Sequence, residues 1–208
     1  FIMNRNLLTY MAGVCLLLLS TSISAQRYTS EIFSTVTVDS DVTYGMNYSI
    51  LTGTYTMDTL KMDIYQPDGD TLEKRPLIIL AHAGSFLPKG LNTLPLGVKE
   101  DSCMIEMCTQ FAKRGWVAAS INYRLGWNPT SSDADVRAGT IINAVYRAMQ
   151  DAKACVRYFK NEATTYKIDL NLITVGGSNS GGYLALAYGS LNDPAELNLL
   201  KFRHSVTG

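Results

Sequence analysis

Apolar residues are distributed along the chain in four different ways. Leu7 to Leu19 is nearly unbroken, with Arg5 ahead of it and small residues ending at Ala25 behind it. That run is short of the ~20 residues a membrane span needs. Its charge–apolar–small order is that of a secretory leader, predicted over residues 1–25 with cleavage after Ala25. Further on, Leu60, Met62 and Ile64 alternate with Lys61 and Asp63. This period of two predicts a half-buried strand, stopped by Pro67 and the Asp-Gly-Asp turn. Leu77–Ala81, Trp116–Arg124 and Leu172–Val175 are apolar without alternation, as in strands covered on both faces. Met104, Met107, Cys108 and Phe111 recur at helical spacing, as do Ile141, Val145, Met149, Ala152, Val156 and Phe159. Residues 30–55, rich in Thr, Val, Tyr and Ser, predict short antiparallel strands.

Strands alternating with helices predict an α/β fold, a three-layer sandwich around a mainly parallel sheet whose crossovers are the helices. The 208 residues suit one domain over 26–208, with no linker or internal repeat. A formal net charge of zero offers no polyanion-binding surface and argues against a nucleic-acid partner. Export implies an oxidising compartment. The mature chain keeps Cys103, Cys108 and Cys155, without a Cys-x-x-C pair and with scarce histidine, so no metal site is expected. Buried thiols on helix faces and a single disulfide both remain open readings. Phe1 and Ile2 precede the expected start at Met3.

Ligands of doubly wound sheets lie beyond the carboxyl ends of the strands. Two such ends carry suggestive residues. After Leu80 comes "AHAGSF", a small-residue turn whose backbone N–H groups could stabilise an oxyanion. After Leu172 comes "ITVGGSNSGGYLALAY", a strand, a glycine-rich turn and a helix. Glycines relieve the crowding of such a turn, and the helix N-terminus favours developing negative charge. Taken singly, each motif also fits a plain packing turn.

Together with "RGWVAASINYRLG" and "DAKACVRYFKNEATTYKIDLNLITVGG", these segments resemble the α/β-hydrolase superfamily, in the carboxylesterase branch related to hormone-sensitive lipase. The resemblance runs from about Leu60 to Tyr188. It implies oxyanion donors at the backbone N–H groups of Gly84, Ser85 and Ser180. It puts the nucleophile position on Asn179, where the family has serine. An asparagine amide has no ionisable hydroxyl and cannot accept an acyl group as serine does. Ser178 and Ser180 flank it as candidates for a relocated nucleophile. A shift of one helical residue, however, turns a side chain by about 100°. Small side chains suited to a tight turn are the plainer alternative.

The family's acid and histidine follow the nucleophile. Here His82 is implied to be structural, and His204 follows the elbow too closely, so the hydrolase domain is expected to be C-terminally incomplete. Arg124 is expected in a structural ion pair, with reach into the cleft as the alternative; Tyr123 and Trp127 are expected in packing, with the lining of a pocket above the sheet as the alternative; and Asp151 is expected as a solvated or capping charge. Asp133 and Asp135 are expected at a helix start. The implied function is a secreted carboxylesterase-like hydrolase of small or polysaccharide-linked esters, weak or inactive as the chain stands, needing no cofactor. A non-catalytic binding module and a truncated gene product are the alternatives. Oligomeric state is not legible.

Overall fold

The computed structural model describes residues 26–51, 54–88, 91–93 and 95–191. The expected leader and His204 lie outside them. The strands are Val36–Leu51 (β1), Thr54–Pro67 (β2), Arg75–Ala81 (β3), Val117–Ile121 (β4) and Ile168–Gly177 (β5). The helices are Ser102–Lys113 (α1), Ala134–Asn161 (α2) and Ser180–Ser190 (α3). The five strands form one sheet in the order β1-β2-β4-β3-β5. β4 and β5 both run parallel to β3, while β2 is antiparallel to both of its neighbours. Four strands therefore share a direction and β2 alone is reversed. The sheet is mixed, with a parallel core of β4, β3 and β5.

Side-chain alternation assigns the two faces. Leu77, Ile79 and Ala81 of β3 join Met62, Ile64, Val117, Ala119 and Ile121 in one cluster, closed by Ala148, Ala152, Cys155 and Phe159 of α2 and Leu184 of α3. Ile78 and Leu80 point the other way, onto Met104, Cys108 and Ala112 of α1. The continuous apolar run of β3 is thus explained by helices on both sides. Each Val, Leu, Ile, Met or Phe among them, fully buried, contributes about 1.5–3 kcal/mol. All three predicted helices form, and Asp133 caps α2 by accepting from the Asp135 N–H at 2.8 Å.

Three expectations change. Residues 36–51 form one long strand rather than several short ones, its register broken at Asp39/Val42 and Thr43/Gly45. Pairing with β2 holds it together, and a polar strand carries no apolar signal of its length. Leu172–Val175 is not covered on both faces: Leu172 is 51% exposed, on the face that α1 leaves open beyond β3. Asp151 is not solvated but fully buried. It accepts the Arg124 backbone N–H at 2.8 Å and pairs with the guanidinium at 2.7 Å. Arg124 also donates to the carbonyls of Tyr48 and Arg147 and to Gln150 Oε1. One ion pair therefore ties the end of β4 to α2 and to β1.

α3 is seated on the carboxyl end of β3 by backbone contact. A Cβ at Gly177 would come within 2.5 Å of the Ala81 carbonyl oxygen, and one at Gly181 within 2.6 Å of the Ala81 carbonyl carbon. Gly182, one residue on, has room, its nearest neighbour being the Gly177 oxygen at 3.5 Å. Cys108 and Cys155 are buried thiols on helix faces and Cys103 is exposed; all three are free. Burial pushes the Cys108 and Cys155 thiols well above their ordinary range.

Asp151→Asn should lower stability by about 3–5 kcal/mol in urea titration, because it strands the Arg124 charge in the core. Gly181→Ala should cost about 3 kcal/mol or more, since rigid backbone cannot give way. Gly182→Ala should be neutral or stabilising by ~0.5–1 kcal/mol, through helix propensity. Of the three described cysteines, Cys103 alone should react with a thiol reagent under native conditions, with Cys108 and Cys155 reacting only after denaturation.

Candidate active site

Because β3 and β5 are adjacent and parallel, the turns that follow them emerge at the same end of the sheet. The Ser178 N–H donates to the Ala81 carbonyl at 3.1 Å, stitching the second turn to the root of the first. Tyr123, just past β4, lies between them. Its hydroxyl donates to the His82 carbonyl at 2.8 Å and lies 3.3 Å from Ser180 Oγ. Burial pushes the Tyr123 phenol up to about 12, so it stays protonated and able to donate at neutral pH. Its ring stacks on the His82 imidazole at 4.4 Å. His82 is 1% exposed, with Nδ1 2.6 Å from the Ala83 carbonyl, a contact that supports the turn.

The first turn is held in an unusual backbone conformation. Gly84, Ser85 and Phe86 have φ of 120°, 53° and 54°. Two successive positive-φ residues other than glycine are costly, on the order of 1–3 kcal/mol each, and persist only where surroundings enforce them. Those surroundings are visible. The Leu87 N–H donates to the Gly84 carbonyl at 3.0 Å, the Gly126 N–H to the Phe86 carbonyl at 2.8 Å, and the Trp127 indole N–H to the Ser85 carbonyl at 3.0 Å. Gly97 presses from outside, its Cα only 3.1 Å from where a Cβ on Gly84 would stand.

Gly97 is fixed by charges that the apolar pattern does not announce. Asp101 accepts the Gly97 N–H at 2.9 Å and the Val98 N–H at 3.3 Å. Lys99, 2% exposed, reaches Asp63 at 2.7 Å, Glu100 at 2.6 Å and Asp41 at 3.2 Å. Burial opposes the Lys99 charge, but these carboxylates outweigh it and hold the ammonium above its ordinary range. Its backbone is clamped as well, the N–H donating to Asn122 Oδ1 at 2.8 Å and the carbonyl accepting from Ser120 at 2.8 Å. Sequence reasoning had put Asp63 on the exposed face of β2 and passed over Lys99 and Asp101. A lone lysine between glycine and acids gives no local sign of burial.

In the second turn, Asn179 occupies the apex, with φ 51° and ψ −113°. It is exposed, Ser178 is half-buried, and Ser180 is 1% exposed inside the first turn of α3. The Asn179 side chain folds back on its own helix. Its Oδ1 accepts the Ser180 N–H at 2.7 Å, the amide that the family resemblance assigns to an oxyanion. This self-capping is the feature that the sequence did not suggest. A cavity of about 520 Å³ opens beside the first turn, walled by His82, Tyr123, Leu125, Lys61 and Gly97. Asn179 does not line it. Among the described residues, no group of three or more His, Cys, Asp or Glu is placed to hold a metal ion.

Comparison with known proteins bears on this arrangement. Residues 62–206 match the model of the BD-FAE family. Neuroligin-like protein glit-1 of Caenorhabditis elegans is 27% identical over 126 residues, which are 60% of this chain and 15% of that protein. The structure of an esterase, Est2, from Thermogutta terrifontis aligns with a TM-score of 0.46 at 22% identity, over 69% of this chain and 42% of that one. The same esterase phosphoramylated by tabun aligns with a TM-score of 0.48 at 23% identity, over 77% and 48%. The chain spans less than half the length of each of these proteins. With more than half of its residues inside the matched model, and with an elbow and a facing turn at the carboxyl ends of parallel strands, the chain belongs to the BD-FAE family and has an α/β-hydrolase fold.

Proposed function

We propose that this chain is an exported, esterase-like hydrolase domain that holds small or polysaccharide-linked ester or carboxylate ligands at the turn-and-elbow end of its sheet, without forming an acyl-enzyme at the elbow apex. Residues 1–25 serve as the export leader in this reading. The observation that carries it is Asn179. The apex is in the conformation that projects one side chain above the sheet, yet that side chain has no ionisable hydroxyl and caps the Ser180 N–H instead. Ser180 cannot take its place without unseating α3, because its hydroxyl lies behind the turn against Tyr123. The amides of Gly84 and Ser85 remain the donors for a ligand oxygen, and Ser180 joins them when Asn179 turns away. No cofactor takes part.

Two measurements test this reading. A fluorophosphonate probe with peptide mapping should leave Ser178 and Ser180 unlabelled. Asn179→Gly keeps the positive φ and removes the competing oxygen, so it should tighten binding of an aryl carboxylate about fivefold by calorimetry, the worth of one hydrogen bond of ~1 kcal/mol. Labelling of either serine would establish a relocated nucleophile and overturn the proposal. Unchanged or absent carboxylate binding in both proteins would overturn it from the other side.

A further inference from the structure

The conformation of Asn179 has a chemical consequence of its own. About the Cα–C bond of an L-residue, Cβ stands ~120° from the backbone nitrogen. A ψ of −113° therefore leaves Cβ nearly eclipsed with the next nitrogen, Ser180 N, within about 7°. This is the arrangement of a five-membered ring through Cα, Cβ, Cγ, Ser180 N and the main-chain carbonyl carbon. The side chain is already turned that way, with Oδ1 2.7 Å from Ser180 N.

We propose that Asn179 is a self-modification site: the Ser180 nitrogen closes on Asn179 Cγ to give a succinimide, which water opens to aspartate or isoaspartate. In the closing step the N–Cγ bond forms and Oδ1 takes the developing negative charge. The Ser180 N–H proton, already directed at Oδ1, is given up. The intermediate collapses by breaking Cγ–Nδ2, and the amide leaves as ammonia, protonated in departure. Water then adds at Cγ, restoring the normal chain as aspartate, or at the main-chain carbonyl carbon, giving isoaspartate. The net change is asparagine plus water to aspartate plus ammonia.

Three observations favour the folded chain over a flexible one. The near-eclipsed ψ removes most of the rotation that a flexible chain must undergo before attack. The Ser180 N–H is among the first amides of α3, which have no carbonyl partner within the helix, so losing its proton breaks no helical bond. The positive end of the α3 dipole stabilises both the deprotonated nitrogen and the oxyanion on Oδ1. Asn179 is also exposed, so water reaches the ring once it forms. The result is a carboxylate at the apex, where the chain is made with a neutral amide.

The test is site-resolved mass spectrometry of the full chain, incubated at neutral and mildly alkaline pH and sampled over days, with isoaspartate detected by enzymatic methylation. The peptide carrying Asn179 should exchange NH for O faster than peptides carrying Asn128, Asn161 and Asn171, which are also exposed. It should also do so about tenfold or more faster than a free peptide of the sequence Ile173–Tyr188, and faster as pH rises. Asn179→Gln, which would have to close a larger ring, should be silent while retaining the native near-ultraviolet spectrum. A folded chain in which Asn179 reacts no faster than in the free peptide would overturn the proposal.

Discussion

The candidate site depends on the bare backbone contact between the first turn of α3 and the carboxyl end of β3. Gly177 and Gly181 let the helix approach the Ala81 carbonyl more closely than any side chain permits. The geometry of the elbow follows from that closeness. The elbow apex stands over the sheet because the helix starts hard against it. Ser180 is buried because the same approach pushes it onto Tyr123. The two turns face one another because Ala81 both ends β3 and receives the Ser178 N–H.

A second constraint is electrostatic and lies on the other side of the first turn. Lys99, Asp63 and Asp101 hold the segment that presses Gly97 on Gly84. Removing an ammonium and carboxylates from water is unfavourable, and only near-complete pairing offsets it. Such an arrangement is a poor way to gain stability but a good way to fix a position. The turn that carries Gly84 and Ser85 is gripped between this charged clamp and the Gly126–Trp127 segment. Its positive-φ backbone is the mark of that grip.

What was legible in the sequence, and what was not, divides along the range of the interactions. Leu77–Ala81 announced a strand covered twice because both partners are apolar and the pattern is local. The helices carrying Met104 and Phe159 were legible for the same reason. Asp151 was misread because its environment is set by Arg124, 27 positions earlier, and a helical pattern sees only neighbours three or four residues away. Leu172 was misread because an apolar run says nothing of which faces find a partner. The long β1 was hidden because its pairing with β2, not its own composition, defines it. At the site, the letters of the two turns were enough to place them at the same end of the sheet. The fold-back of Asn179 onto Ser180 was not legible, since it depends on a backbone angle rather than on residue type.

The link from Trp127 to Ser85 has a use that no catalytic argument requires. The chain has two tryptophans, and the other, Trp116, sits among Tyr28 and Phe111 on the α1 side of the sheet. Of the two, Trp127 is the one bonded to the turn that carries Gly84 and Ser85. Its indole emission is therefore an intrinsic optical gauge of that turn, against which Trp116 supplies a steady background in the same molecule.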